Sequence, residues 1–185
     1  MPHKARTACL KLLLVIVVVV MTAAPASFAQ GTTNAQATAT VLTALSVTVN
    51  NNLVFGNVLQ GVPKEIGPDD NDSTAQFVVT GQASASVSMV LTLPSYLSHT
   101  ASGDQMMLVF ASDQAVVDTN ATTPASVTSG DGWLAQNPYS LPAGAVIGSG
   151  GQTNVYLGGK VIPEPNQEPG TYEANIILSV SYLGS

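Results

Sequence analysis

The sequence is short of positive charge, of thiols, of imidazoles and of aromatic rings, and each shortage removes a class of function. Only five residues are Lys or Arg, against eleven Asp or Glu. Three of the five, Lys4, Arg6 and Lys11, precede the first long apolar run, so Lys64 and Lys160 are the only basic residues beyond residue 29, where all the acidic ones lie. So acidic a surface repels phosphate backbones and anionic headgroups, which excludes nucleic-acid binding. The single cysteine, Cys9, also precedes that run. Disulfides, Cys-ligated metals and thiol nucleophiles are therefore excluded together.

Catalytic chemistry is as poorly supplied. His99 is the only imidazole beyond residue 29. Ser98 or Ser102 could be drawn beside it as nucleophile and base, but no G-x-S-x-G elbow or other positioning motif goes with them. Glu164 and Glu168 are four apart among prolines, and Asp69, Asp70 and Asp72 cluster in a polar stretch. Neither setting supplies the apolar pocket that sets one carboxyl apart from another for glycoside hydrolysis. The aspartate cluster carries the oxygen donors calcium prefers, without the glycine and distant glutamate of an EF-hand loop. The residues therefore predict no enzyme and no cofactor.

What is present is organised by hydrophobic period. Met1 to Ala29 has a basic start, the run Leu12 to Met21, and the small-residue ending Ser27-Phe28-Ala29. This reads as a secretory signal cleaved after Ala29, the run being too short to span a bilayer. Residues 30–185 then form one domain that is exported to the periplasm, the extracellular space or the cell surface, with no membrane insertion after cleavage. Beyond the signal the apolar spacing is close to two, the strand period. Ala83, Ala85, Val87, Met89, Leu91 and Leu93 alternate with Ser84, Ser86, Ser88 and Thr92. Tyr172, Ala174, Ile176, Leu178, Val180 and Tyr182 alternate likewise, with only Ile177 out of pattern. Further strands are expected over Ala37 to Val49, Leu53 to Leu59, Gln76 to Thr80, Met106 to Ala111 and Thr153 to Ile162. Turn clusters such as Asn50-Asn51-Asn52 and Gly148-Ser-Gly-Gly151 separate them. Residues 112–140 read as a long connection that holds one short strand. Many short strands, frequent turns and a charged fraction of only 9% predict an all-β chain folded as an antiparallel sandwich. Trp133 and Tyr139, on one stretch, are the candidate ligand-stacking face.

The segments Leu53-Val-Phe55-Gly56-Asn-Val58, Phe77-Val-Val-Thr80-Gly81 and Val155-Tyr-Leu-Gly158-Gly159-Lys-Val161 point further. With Gly170-Thr-Tyr172 and Val180-Ser-Tyr182 they resemble the secreted bacterial family of unknown function numbered 4402, itself similar to spore coat protein U and to chaperone–usher pilin domains. The resemblance covers nearly all of the chain after the signal. It implies an Ig-like sandwich lacking one strand, which a neighbouring subunit's N-terminal extension fills. On that reading Ala35, Ala37, Ala39 and Val41 are the donor positions, and Gly170, Tyr172, Ile176, Leu178, Val180 and Tyr182 form the receiving strand. Implied partners are other subunits of its own kind, with a periplasmic chaperone and an usher. Two arrangements stay open: donor-strand assembly into a fimbria-like structure, or a closed monomer whose extension is its own first strand. The closed monomer would be a secreted binding module or adhesin for glycan or a surface protein.

Overall fold

The computed structural model describes residues 35–70, 72–118 and 135–184. The expected signal segment, residues 30–34, Asn71 and Trp133 lie outside the described residues. The chain divides into two units, Met1–Thr40 and Val41–Ser185. Of the first, residues 35–40 are described; they are exposed and belong to no strand.

The second unit is all-β, with no helix among the described residues. Its strands are β1 (Ser46–Asn51), β2 (Lys64–Ile66), β3 (Ala75–Thr80), β4 (Ser86–Thr92), β5 (Tyr96–His99), β6 (Gln105–Val109), β7 (Ala115–Asp118), β8 (Ala145–Val146), β9 (Gln152–Leu157), β10 (Gly159–Ile162), β11 (Tyr172–Glu173) and β12 (Ile177–Tyr182). One sheet runs β1-β3-β9-β7. Two further sheets, β12-β4-β8 and β11-β5-β6-β10-β2, complete the sandwich, and all pairings are antiparallel. The core lies between the layers. Phe77, Val79, Val155 and Leu157 of the first sheet share one buried cluster with Val87, Met89, Leu91, Leu108, Val161 and Leu178 of the others.

Period two was a sound guide to faces. Val87, Met89 and Leu91 are buried on β4, as the alternation predicts. It was a poorer guide to where strands stop. The stretch Thr153 to Ile162 is two strands in different sheets, β9 and β10, with the chain switching layers at Gly158. Such corners need close main-chain approach. A Cβ on Gly158 would lie 2.9 Å from the carbonyl carbon of Gly67, against rigid backbone. The expected terminal strand Tyr172 to Tyr182 is also divided. Tyr172 faces His99 in one ladder, whereas Ile177 faces Thr92 in the next. Two extra residues on the β4–β5 side make a bulge around Pro94, which has no N–H to give the ladder.

Other expectations are corrected outright. Leu53 to Leu59 is not a strand. Leu53, Phe55 and Val58 instead pack into the core cluster from an irregular segment, with Gly56 in the left-handed region at φ 60°. The strand expected over Ala37 to Val49 begins only at Ser46. Within residues 112–140, by contrast, β7 is the one short strand expected inside that connection.

Gly158→Val is expected to lower unfolding stability by about 2 kcal/mol or more, because the side chain must displace the β2 backbone. Urea denaturation followed by tryptophan and tyrosine fluorescence measures it; an unchanged midpoint would mean that the corner has room to relax.

Candidate functional site: an open edge beside the C-terminal strand

A seven-stranded Ig sandwich has strands A-B-E-D in one sheet and C-F-G in the other. Here β1-β3-β9-β7 has the first order, and β4–β12 stands as the C–F pair. Beside β12, in the place of G, there is no strand among the described residues.

Two rows of apolar side chains border this place. Residues directly opposite in an antiparallel pair share a face. Val47 is opposite Val79 and Val49 opposite Phe77, both core residues, so Val47 and Val49 point inward. Yet they remain 38% and 56% exposed, and no described strand covers them from the other layer. The second row comes from β12. Leu178, Val180 and Tyr182 are opposite Leu91, Met89 and Val87, so they too face the interior. Leu178 is buried, while Val180 and Tyr182 are half-buried.

The main chain of β12 follows the same parity. Leu183 N–H donates to Ser86 O at 3.0 Å. Hydrogen-bonding residues alternate along an antiparallel ladder, so Ile177, Ser179 and Ser181 turn their N–H and C=O towards β4. Leu178, Val180 and Tyr182 turn theirs outward, to the open edge. The three residues with apolar side chains in the groove thus also carry its free backbone groups.

One end of the groove is latched. The Tyr182 hydroxyl donates to Thr43 O and accepts from the Gln82 N–H, both at 2.6 Å. Thr43 Oγ1 donates to Gln82 Oε1 at 3.1 Å, so the segment leading into β1 is tied to the end of β12. Gly81 makes room for the latch: a Cβ there would lie 2.6 Å from Tyr182 Oη and 2.7 Å from Leu45 Cδ2.

Of the residues singled out in the sequence, Leu178, Val180 and Tyr182 come together on this wall, with half-buried Ile176 leading into it. Gly170 and Tyr172 belong to a different device. The Gly170 backbone packs against the His99 ring with no space for a side chain. That ring meets Tyr172 edge-on at 5.1 Å. The Tyr172 hydroxyl donates to Asp104 Oδ2 at 2.8 Å, and Gln167 Nε2 donates to the same oxygen at 2.7 Å. These bonds, Tyr172 foremost and then the Glu168 N–H, hold the Asp104 carboxyl below its ordinary value. Loss of water around Tyr172 pushes its phenol upward. Ala35, Ala37 and Ala39 are exposed outside any strand, and Val41 is 93% exposed. Tyr139 stands on the far flank of β4, 64% exposed, with Phe110 edge-on at 6.5 Å. Sequence reasoning missed the β1 wall; the signal was there, in the alternation of Leu45, Val47 and Val49.

Ser102 and His99, drawn as a pair from the sequence, do meet, with Ser102 Oγ 3.0 Å from His99 Nδ1. Ser102 Oγ, however, donates to Glu168 Oε2 at 2.6 Å, and Nδ1 faces the N–H groups of Ala101 and Ser102 at 3.2 and 3.0 Å. The serine proton goes to the carboxylate and the imidazole lone pair to the main chain, an arrangement that closes a hairpin. At the aspartate cluster, Asp70 Oδ1 accepts the Asp72 N–H at 3.3 Å, shaping the turn. Among the described residues, no three acidic, histidine or cysteine side chains are gathered as a metal site.

No protein-family profile matches the chain, and no curated protein matches it as a relative.

Two expectations follow. Asp104, with its folded pKa depressed, stabilises the fold above its ordinary value of 3.8, and that contribution is lost as pH falls through the lower folded value. The stability gap between the native protein and Asp104→Asn should therefore be present at neutral pH and close on acidification; a constant gap across an acid titration of chemical stability would contradict it. Tyr182→Phe, which removes both latch bonds, should cost about 1–3 kcal/mol by the same measurement.

Proposed function

We propose that this protein is an exported, non-catalytic structural subunit of a fimbria-like or cell-surface assembly, in which an extended segment of a neighbouring copy completes the sandwich beside β12. One observation carries the reading: among the described residues, the inward-facing Val47 and Val49 lie uncovered beside a β12 edge to which no further strand pairs. Only an added strand supplies main-chain partners and apolar cover at once. Each main-chain bond regained contributes about 0.5–1.5 kcal/mol, and the covered valines add about 25 cal/mol per Å².

The candidate donor is residues 30–41 of a second copy. In an extended chain Ala35, Ala37, Ala39 and Val41 fall on one side, small enough to lie against the half-buried floor formed by Val180 and Tyr182. The likeness to the 4402 family, spore coat protein U and chaperone–usher pilins supports the same arrangement. An uncovered groove of this kind aggregates unless it is shielded, which fits a periplasmic chaperone and an usher as partners before assembly.

Light scattering on the protein beginning at Gln30, beside one beginning at Leu42, tests this. Extended or SDS-resistant oligomers from the longer form only, abolished by Val49→Lys without loss of folded signal, are the expected result. A monomeric longer form and an unfolded shorter one would make the extension the domain's own first strand, and the protein a secreted monomeric binding module.

A further inference from the structure

β4 has a second edge, away from β12, and it is open for a different reason. β8 pairs with β4 only at Ser86 and Val87. Just before this ladder, Ile147 N–H donates to Ala85 O and Ser84 N–H to Ile147 O, both at 2.9 Å. The odd-numbered residues of β4 therefore turn their backbone groups towards β8. The next in that series, Met89 and Leu91, find no strand there among the described residues, where the chain leading into β8 has splayed away. Gly144 lies in the left-handed region at φ 75°, and Pro142 has no N–H with which to continue the ladder. The divergence leaves a cleft of about 230 Å³, bounded by residues 88–91 on one side and 138–143 on the other. None of its lining residues is charged. Val90 and Tyr139, 58% and 64% exposed, stand among them.

We infer that this cleft is a second strand-addition site, independent of the β12 groove, which takes a short, uncharged, extended peptide from a partner protein. The geometry selects the occupant. Met89 and Leu91 each present an N–H and a C=O, two residues apart, and the repeat of an extended peptide matches that spacing. The charge-free lining disfavours an ionic side chain, which would enter without a counter-ion. The volume accommodates a few residues of backbone with small side chains, and Tyr139 supplies a rigid apolar contact beside them.

The test uses the whole exported protein and a capped Ala-Thr-Ala-Thr-Ala-Bpa peptide, whose terminal Bpa, the photoreactive benzoylphenylalanine, lies beyond the small residues that enter the cleft. Affinity is read by anisotropy of a fluorescent version, and the contact site by mass spectrometry after irradiation. Saturable binding is expected, with cross-links on residues 88–91 or 138–143. Tyr139→Ala should weaken it about tenfold, and glutamates in place of the two threonines should weaken it as well. Tyr139 is exposed, so this variant keeps its fold, which circular dichroism checks. The inference is overturned if cross-links fall only on residues 176–183, if Tyr139→Ala binds equally well, or if no saturable binding occurs. A neutral sugar probe, methyl α-glucoside, displacing the peptide or binding in its stead would assign the cleft to glycan and overturn it too.

Discussion

The ladder between β4 and β12 is the interaction on which the open side of the sandwich depends. It pairs residues 177–182 with residues 87–92, and its parity decides two matters together. Every second residue of β12 commits its backbone to β4, and the others are left facing outward. The same others, Leu178, Val180 and Tyr182, carry the side chains that close the core. A slip of one residue would turn the apolar row to solvent and swap the free backbone groups to the wrong residues. Because packing fixes the register, packing also fixes which backbone groups remain available, so the open side of the groove is preorganised by the core itself.

The two ends of the terminal segment are held by tyrosines that act in different ways. Tyr182 spans the layers, joining the end of β12 to Thr43 ahead of β1. Tyr172 stays within its own end of the molecule, where Asp104 and Gln167 gather around its hydroxyl. The bulge at Pro94 separates them, shifting the register by two residues so that β11 and β12 belong to different sheets. Strain or binding at one end is therefore not passed along a single continuous ladder to the other. The latch keeps the β1 wall in place, and the Asp104 network keeps the loops around His99 and Glu168 closed.

Much of this was legible in the sequence, and the gaps have physical causes. Alternation along residues 83–93 and 172–182 identifies strands and their inner faces, because a side-chain period of two is a property of the local chain. The break at Gly158 was not legible: a glycine within an apolar run reads the same whether the strand passes straight through or changes sheet. Leu53 and Phe55 are spaced like a strand, with Val58 three residues on, yet all three fill the core from an irregular segment, since the requirement they meet is burial and not pairing. The open site was half visible. Leu178, Val180 and Tyr182 could be named from pattern and resemblance, whereas Val47 and Val49 become informative only once no described strand is seen beside β12 to cover them.

The remaining edges make the open one meaningful. Sheet edges invite pairing with other chains, and proteins blunt them by shortening the strand or placing charge on it. β2 is three residues long and carries Lys64 and Glu65, with Glu65 bound to Lys160 at 3.3 Å. β7 carries Asp118, β11 is two residues with Glu173, and β8 is also two residues. β1 and β12 alone among these edge strands run to six residues, and neither contains a charge. Shortness or charge thus marks the other four edge strands and neither of the two that flank the groove, while the part of β4 beyond its short pairing with β8 is the further stretch left without such protection. A fold that merely tolerated an exposed edge has no reason to blunt the others so selectively, and the contrast supports the proposal that the groove takes an incoming strand.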